Sequence, residues 1–219
     1  MGPSARDDPN EAPARADDGA FATAAAAVNA RTWLAEAVAA LAHELRDHHA
    51  PTAEHSHRAA GVARAVADEL GLDALDATEV ELVAVVHDVG KLAIDPALLD
   101  FPGRLSDAQL ERMRRHTIEG EELLAQTAGL DQLAPAVRAT HEAWDGSGYP
   151  DGLSGDEIPL TARIVAVVDA YDAMVSARPY RTALPRPEAT RRLRAGAGVQ
   201  FDPGVVEALL RVFVRQGRA

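Results

Sequence analysis

Residues 78–91 read TEVELVAVVHDVGK, and the change of character inside that stretch decides the fold. Thr78 and Glu81 have the spacing of a capping box, in which a hydroxyl and a carboxylate satisfy each other's free backbone N–H groups. They predict a short apolar helix over residues 80–86, ending where the polar residues His87, Asp88, Gly90 and Lys91 begin. Neighbours on a regular helix point about 100° apart. His87 and Asp88 can therefore share a ligand only near a helix end, and Gly90 puts them there.

Outward from this stretch the helical period continues. Phe21, Trp33, Leu34, Val38, Leu41 and Leu45 recur at three- and four-residue steps and predict an amphipathic helix over residues 20–47, whose partner is the core or a second subunit. Thr52 precedes a helix to about Leu70, with Gly71 as a left-handed C-cap. Ser106 and Gln109 form a second capping box, opening one helix through Met113, His116, Gly120 and Leu124. A helix over residues 133–142 leads into residues 144–159, where four glycines and two prolines predict a loop. Helix returns over residues 160–176, breaks at Arg178-Pro179, and closes the chain in two pieces, 188–194 and 204–214. Residues 1–19 carry almost nothing apolar and are expected to be a disordered tail. The division expected is thus a tail (1–19), an N-terminal helix (20–48) and one domain (49–219).

Composition narrows the class. Alanine supplies 46 of 219 residues and aromatics only 4%, which favours closely packed helices over a sheet and predicts an all-α fold. The net charge of −12 opposes a sequence-independent grip on a nucleic-acid backbone, so no duplex partner is expected. With no cysteine, disulfides and thiolate chemistry are excluded, and any metal must be held by His, Asp or Glu. Neither a secretory signal nor an apolar run of roughly 18 residues is visible, so a cytoplasmic protein without membrane contact is expected. The cations are 21 Arg and a single Lys, Lys91, and from residue 178 onward nine Arg face three acids.

Of the eight histidines, His55, His87, His116 and His141 fall on successive predicted helices or their ends, as does Asp169. Helical bundles build metal sites in this way, from inward-pointing side chains on facing helices. The carboxylate of Asp88 has two oxygens and can bridge two cations while imidazoles complete their shells. Asp172, one helical turn after Asp169, is the rival ligand. His43, His48, His49 and His57 have no evident partner and are expected in solvent.

Together, His55-Ser56-His57-Arg58, His87 to Lys91, Pro102-Gly103 with His116 and Gly120, residues 141–150 (HEAWDGSGYP), residues 158–163 (IPLTAR), Asp169-Ala170-Tyr171-Asp172 and Arg178-Pro179-Tyr180-Arg181 form an ordered set of motifs over about residues 52–213. On them the chain resembles the HD-GYP subgroup of the HD-domain metal-dependent phosphohydrolases. The resemblance implies an all-α HD-domain bundle carrying a GYP loop after an N-terminal helix. It also implies a phosphodiesterase that hydrolyses cyclic di-GMP to pGpG or GMP by metal-activated water, with two divalent metals, iron or manganese. By resemblance His55, His87, Asp88 and Asp169 hold one metal, and Asp88 bridges to a second on His116 and His141.

Asp88 and Lys91 are the expected catalytic residues, Lys91 as the only lysine and one turn beyond His87. Lys91, Gly148, Tyr149, Arg178 and Arg181 are the substrate-binding candidates. The forked donors of the two arginines suit a phosphate or a guanine edge, while Gly148 and Tyr149 serve loop shape as well as contact. A homodimer through the N-terminal helix and a signalling-protein partner are the expected protein contacts. The chain departs from the family twice. Thr140 stands where a second histidine is usual before Glu142, which implies a weaker second metal. Pro51 stands where three-metal members carry glutamate, so no third metal is expected. The alternatives are a phosphohydrolase of another nucleotide, or a degenerate module that binds a nucleotide or partner without turnover.

Overall fold

The computed structural model describes residues 18–177 and 182–217, with side chains from residue 32 onward. Residues 1–17 of the expected tail, the Phe21 side chain and the arginine candidates Arg178 and Arg181 thus lie outside what is described. Ten α-helices run in order among the described residues: α1 (Asp18–His48), α2 (Ala50–Glu69), α3 (Ala74–Val86), α4 (Pro96–Leu99), α5 (Asp107–Arg114), α6 (His116–Gln126), α7 (Ala134–Arg138), α8 (Leu160–Val175), α9 (Arg186–Gly196) and α10 (Pro203–Arg215). Short 3-10 turns join them at Val89–Ala93, Asp131–Leu133, Ala139–His141 and Gly155–Glu157. Among the described residues there is no strand, only isolated bridges such as Asp145 with Ser154, so the protein is all-α.

The central helix is α2, packed against α1, α3, α8 and α10. Its buried face is Ala59, Ala60, Ala63, Val66 and Ala67, and side chains this small let four neighbours approach closely. Val80, Val83 and Ala84 of α3, Ile164 and Val168 of α8, and Leu209 and Phe213 of α10 fill the same core. The stripe of α1 finds its partner inside the chain: Val38, Leu41 and Leu45 are buried, while Trp33, 44% exposed, lies against Gly129. A smaller apolar group, Ala139, Ile158 and Ala162 with Leu153 beside it, anchors the loop that precedes α8. No helix among the described residues is long and apolar enough to cross a membrane.

Three expectations about elements are corrected. Asp73 rather than Thr78 starts α3, its carboxylate accepting from the amides of Leu75 and Asp76 at 2.8 and 2.9 Å. The Thr78 hydroxyl instead donates back to the Ala74 carbonyl, 2.7 Å away. Asp is a strong N-cap, and it comes first along the chain. The helix opened by the Ser106–Gln109 capping box, which does form, breaks at Arg115 into α5 and α6. The helix expected over 133–142 is one short α-helix flanked by tighter 3-10 turns. Gly71 does take the left-handed conformation, φ 79°, after α2.

Candidate metal centre

The path to the site begins where α3 stops. His87 is the C-cap of α3, and Asp88 follows with φ −99° and ψ 7°, outside helical geometry, so the two side chains turn to one side. The 3-10 turn beyond them lies so close to α6 that a Cβ on Gly90 would stand 1.9 Å from the His116 carbonyl oxygen and 2.5 Å from the Gly120 amide. Only glycine permits this approach. It sets His116 Nε2 3.4 Å from Asp88 Oδ1, with His87 Nε2 3.5 Å from Asp88 Oδ2.

Both imidazoles are oriented by the backbone. His87 Nδ1–H donates to the Ala84 carbonyl at 2.9 Å, and His116 Nδ1–H to the Met113 carbonyl at 2.7 Å, the latter exposed by the break at Arg115. In each ring the donor role at Nδ1 leaves the lone pair of Nε2 facing inward. Those two Nε2 atoms, His141 Nε2 and Asp88 Oδ1 are buried and have no hydrogen-bond partner. Three such nitrogens around one buried carboxylate are costly unless a cation satisfies them. Among the described residues two groups have ligand atoms within 4.8 Å of one another, His55-His87-Asp88 and Asp88-His116-His141, with Asp88 in both. Asp169 stands at the edge of the first, its Oδ1 2.6 Å from His55 Nε2 and 4.0 Å from His87 Nε2.

Charge in the site follows from burial and neighbours. Burial pushes the His116 imidazole down to about 3 and lowers His141 as well, so both stay neutral. For Asp88 burial opposes ionisation, but the Lys91 ammonium and then the imidazoles hold its carboxyl well below the ordinary range. Burial also opposes charge on Asp169, and the hydrogen bond from His55 reverses it. His55 itself is raised to about 9, because its bonds to Asp169 and Asp172 outweigh its burial.

Lys91 Nζ sits 2.7 Å from Asp88 Oδ2 at the wall of a cavity of about 460 Å³ that is also lined by His55, His116 and Tyr149. A second cavity of about 370 Å³ borders Thr140, His141, Asp169, Tyr149 and Gly148. Tyr149 stacks on His141 at 5.2 Å with an interplanar angle of 11°, and the Arg114 guanidinium lies over the Tyr149 ring, 5.2 Å from its centroid. Burial, ahead of the Asp88 and Asp169 charges, raises the Tyr149 phenol, so it keeps its proton. Gly148 acts through shape: a Cβ there would be 2.2 Å from the Ala143 amide nitrogen. Thr140 is buried with its hydroxyl donating to the Val137 carbonyl at 2.9 Å.

Sequence reasoning missed three supports and misplaced two histidines. Glu142 is the keystone of the glycine-rich loop, its Oε1 accepting from the Asp151 and Gly152 amides at 2.7 and 3.1 Å. Its signal was an acid beside a Gly-rich run. Asp172, the rival ligand, lies behind His55 and outside both groups. Nothing in the sequence marked Arg114. His43 and His57 are exposed as expected. His48 and His49 are instead partly buried, His48 bonding the Ile94 carbonyl and His49 bonding Thr52 and Asp100, because the start of α2 folds against the segment after Lys91.

A family model described as an HD domain matches residues 39–205, most of the chain. A cyclic di-GMP phosphodiesterase of Thermotoga maritima is 40% identical over 74% of this chain and 44% of its own length. A 3'3'-cGAMP-specific phosphodiesterase, number 3, of Vibrio cholerae is 36% identical over 72% of this chain and 34% of its own. The chain thus spans less than half the length of these curated relatives. Among solved structures Bd1817, an HDG"Y"P protein from Bdellovibrio bacteriovorus, superposes with a TM-score of 0.62 at 21% identity over 74% of this chain and 52% of that one, a likeness of fold.

Proposed function

Because the chain belongs to the HD-domain family, we propose that it is a metal-dependent phosphodiesterase of cyclic dinucleotides, acting in the cytoplasm on cyclic di-GMP to give pGpG or GMP. The observation that carries this reading is the convergence of three buried, unpartnered imidazole nitrogens, His87 Nε2, His116 Nε2 and His141 Nε2, on the Asp88 carboxylate, whose Oδ1 is itself buried and unpartnered. The names of the relatives from Thermotoga and Vibrio support a cyclic dinucleotide as the substrate class.

The donor set is nitrogen and oxygen only, which suits divalent iron or manganese. His55, His87, Asp88 and Asp169 would hold one ion, and Asp88, His116 and His141 the other. When bound, such a pair supplies a water acidified toward neutral pH and positive charge for the phosphoryl oxygens. The protein's own contribution is orientation and charge. The Ala84 and Met113 carbonyls fix the imidazoles before any ligand arrives. Lys91, 21% exposed, can exchange Asp88 for a non-bridging phosphate oxygen. Tyr149, protonated and lining both cavities, can donate to the dinucleotide. In the net reaction the oxygen of water bonds phosphorus, the P–O3′ bond breaks, and O3′ leaves with a proton.

The test is purified full-length protein loaded with Fe2+ without oxygen, or with Mn2+, then given cyclic di-GMP or 3'3'-cGAMP separately, with products resolved by chromatography. Cyclic di-GMP should be opened, and His87→Ala and Asp88→Ala should lose both metal and turnover while remaining folded. Two bound metals without hydrolysis would make the chain a binding module. Preferential cleavage of 3'3'-cGAMP would reassign the substrate.

A further inference from the structure

His55 differs from His87 and His116 in how it is held. His87 and His116 give their Nδ1–H to backbone carbonyls, which are neutral and fixed. His55 Nδ1 instead lies 2.6 Å from Asp172 Oδ2, a carboxylate 117 residues away in sequence. That carboxylate is itself gripped by two further side chains. Arg58 Nε donates to Oδ1 at 3.2 Å and Nη2 to Oδ2 at 3.0 Å, and the Ser176 hydroxyl reaches Oδ2 at 3.2 Å. Asp172 is largely buried, with a side-chain exposure of 13%, and belongs to neither group of mutually close ligand atoms.

We infer that Asp172 is a positioning residue: it accepts the Nδ1–H of His55, turns His55 Nε2 toward Asp169 and the metal cluster, and is kept in place by Arg58 and Ser176. The need is local. Arg58 and Ser176 lie on α2 and just past the end of α8, so the Arg58–Asp172–Ser176 grip also ties together the two helices that carry His55 and Asp169. A carboxylate behind a ligating imidazole fixes its tautomer and raises its basicity, and losing such support typically costs about 10–100-fold in metal affinity. The inference rests on the assignment of His55 as a metal ligand.

The test is a titration of metal-free full-length protein with Mn2+, comparing wild type, Asp172→Ala and Asp172→Asn, with the thermal midpoint of each metal-free protein measured alongside. The tighter Mn2+ site should weaken by about 10–100-fold in Asp172→Ala and by less in Asp172→Asn, whose amide oxygen still accepts from Nδ1–H, with the number of sites at saturation unchanged. If Asp172→Ala does not fold, a weakening of several-fold in Asp172→Asn supports the same role and an unaltered affinity overturns it. Wild-type affinity in both variants, whatever their thermal midpoints, overturns the positioning role alone. Loss of a whole equivalent of Mn2+ in both makes Asp172 a ligand and also overturns it. A wild type that binds no Mn2+ overturns the site assignment and the role with it.

Discussion

At the scale of single residues the site depends as much on absent atoms as on ligands. Gly90 has no Cβ, and that absence brings Asp88 and His116 together. Gly90→Ala must push the 3-10 turn away from α6 and should destabilise the protein by about 1–3 kcal/mol, the usual range for overpacking. Thermal unfolding and Mn2+ binding should both worsen; an unchanged midpoint would mean the turn can move freely. Thr140 poses the opposite question. Its hydroxyl is spent on the Val137 carbonyl, yet it borders the cavity shared with His141 and Asp169. Thr140→His should therefore add a nitrogen where there is room and tighten the weaker metal by roughly tenfold or more, the scale on which supporting groups act. Equal, tight binding of two metals in the wild type, unmoved by the substitution, would show that no ligand is missing. The histidines that converge were legible because they recur on successive helices with a His-Asp pair at a helix end. The role of Asp172 was not, because its partner His55, 117 residues away, is brought near by tertiary folding and no local period reports it.

At the scale of elements, local signals worked where one stood alone and failed where two competed. Ser106 and Gln109 cap α5 as read, but Asp73 and Thr78 are both capping residues within about one and a half turns, and the earlier won. The break at Arg115 has neither Gly nor Pro to announce it. At the break the Met113 carbonyl accepts from the His116 ring three residues on. The partner of α1 was open in the sequence, and the structure supplies it from α2 and α3, to which Val38 and Leu41 are joined in the core. The glycine-rich loop is tied to the body through Arg138, which meets both oxygens of Asp151 at 2.6 and 2.7 Å and Glu121 at 2.6 Å. Arg138 is about a quarter exposed, so Arg138→Ala should cost no more than about 1 kcal/mol in global stability. Its effect should instead be local: faster hydrogen exchange at the Asp151 and Gly152 amides that Glu142 holds. Unchanged exchange there would show that Glu142 fixes the loop unaided.

For the whole molecule, the buried imidazoles make stability a function of pH once metal is removed. His55 is raised from 6.5 to about 9, so its contribution is complete below pH 6.5 and is lost as pH climbs through 9. His116 is depressed from 6.5 to about 3, so its contribution is complete above pH 6.5 and is lost as pH falls toward 3; the lowered His141 acts in the same direction. Each such group changes stability by about 1.4 kcal/mol per pH unit within its window. Urea unfolding of chelator-treated protein should therefore give a maximum near pH 6.5 that falls on both sides, and a flat profile from pH 5 to 9 would contradict these environments. The same buried nitrogens are the basis for the proposed activity, and a direct view of them decides it. Crystals of the full chain grown with Mn2+ should show two anomalous peaks about 3.5–4 Å apart, the spacing of a two-metal clamp, bridged by Asp88 with His55, His87 and Asp169 on one side and His116 and His141 on the other. Peaks elsewhere, or none among these residues, would contradict the account.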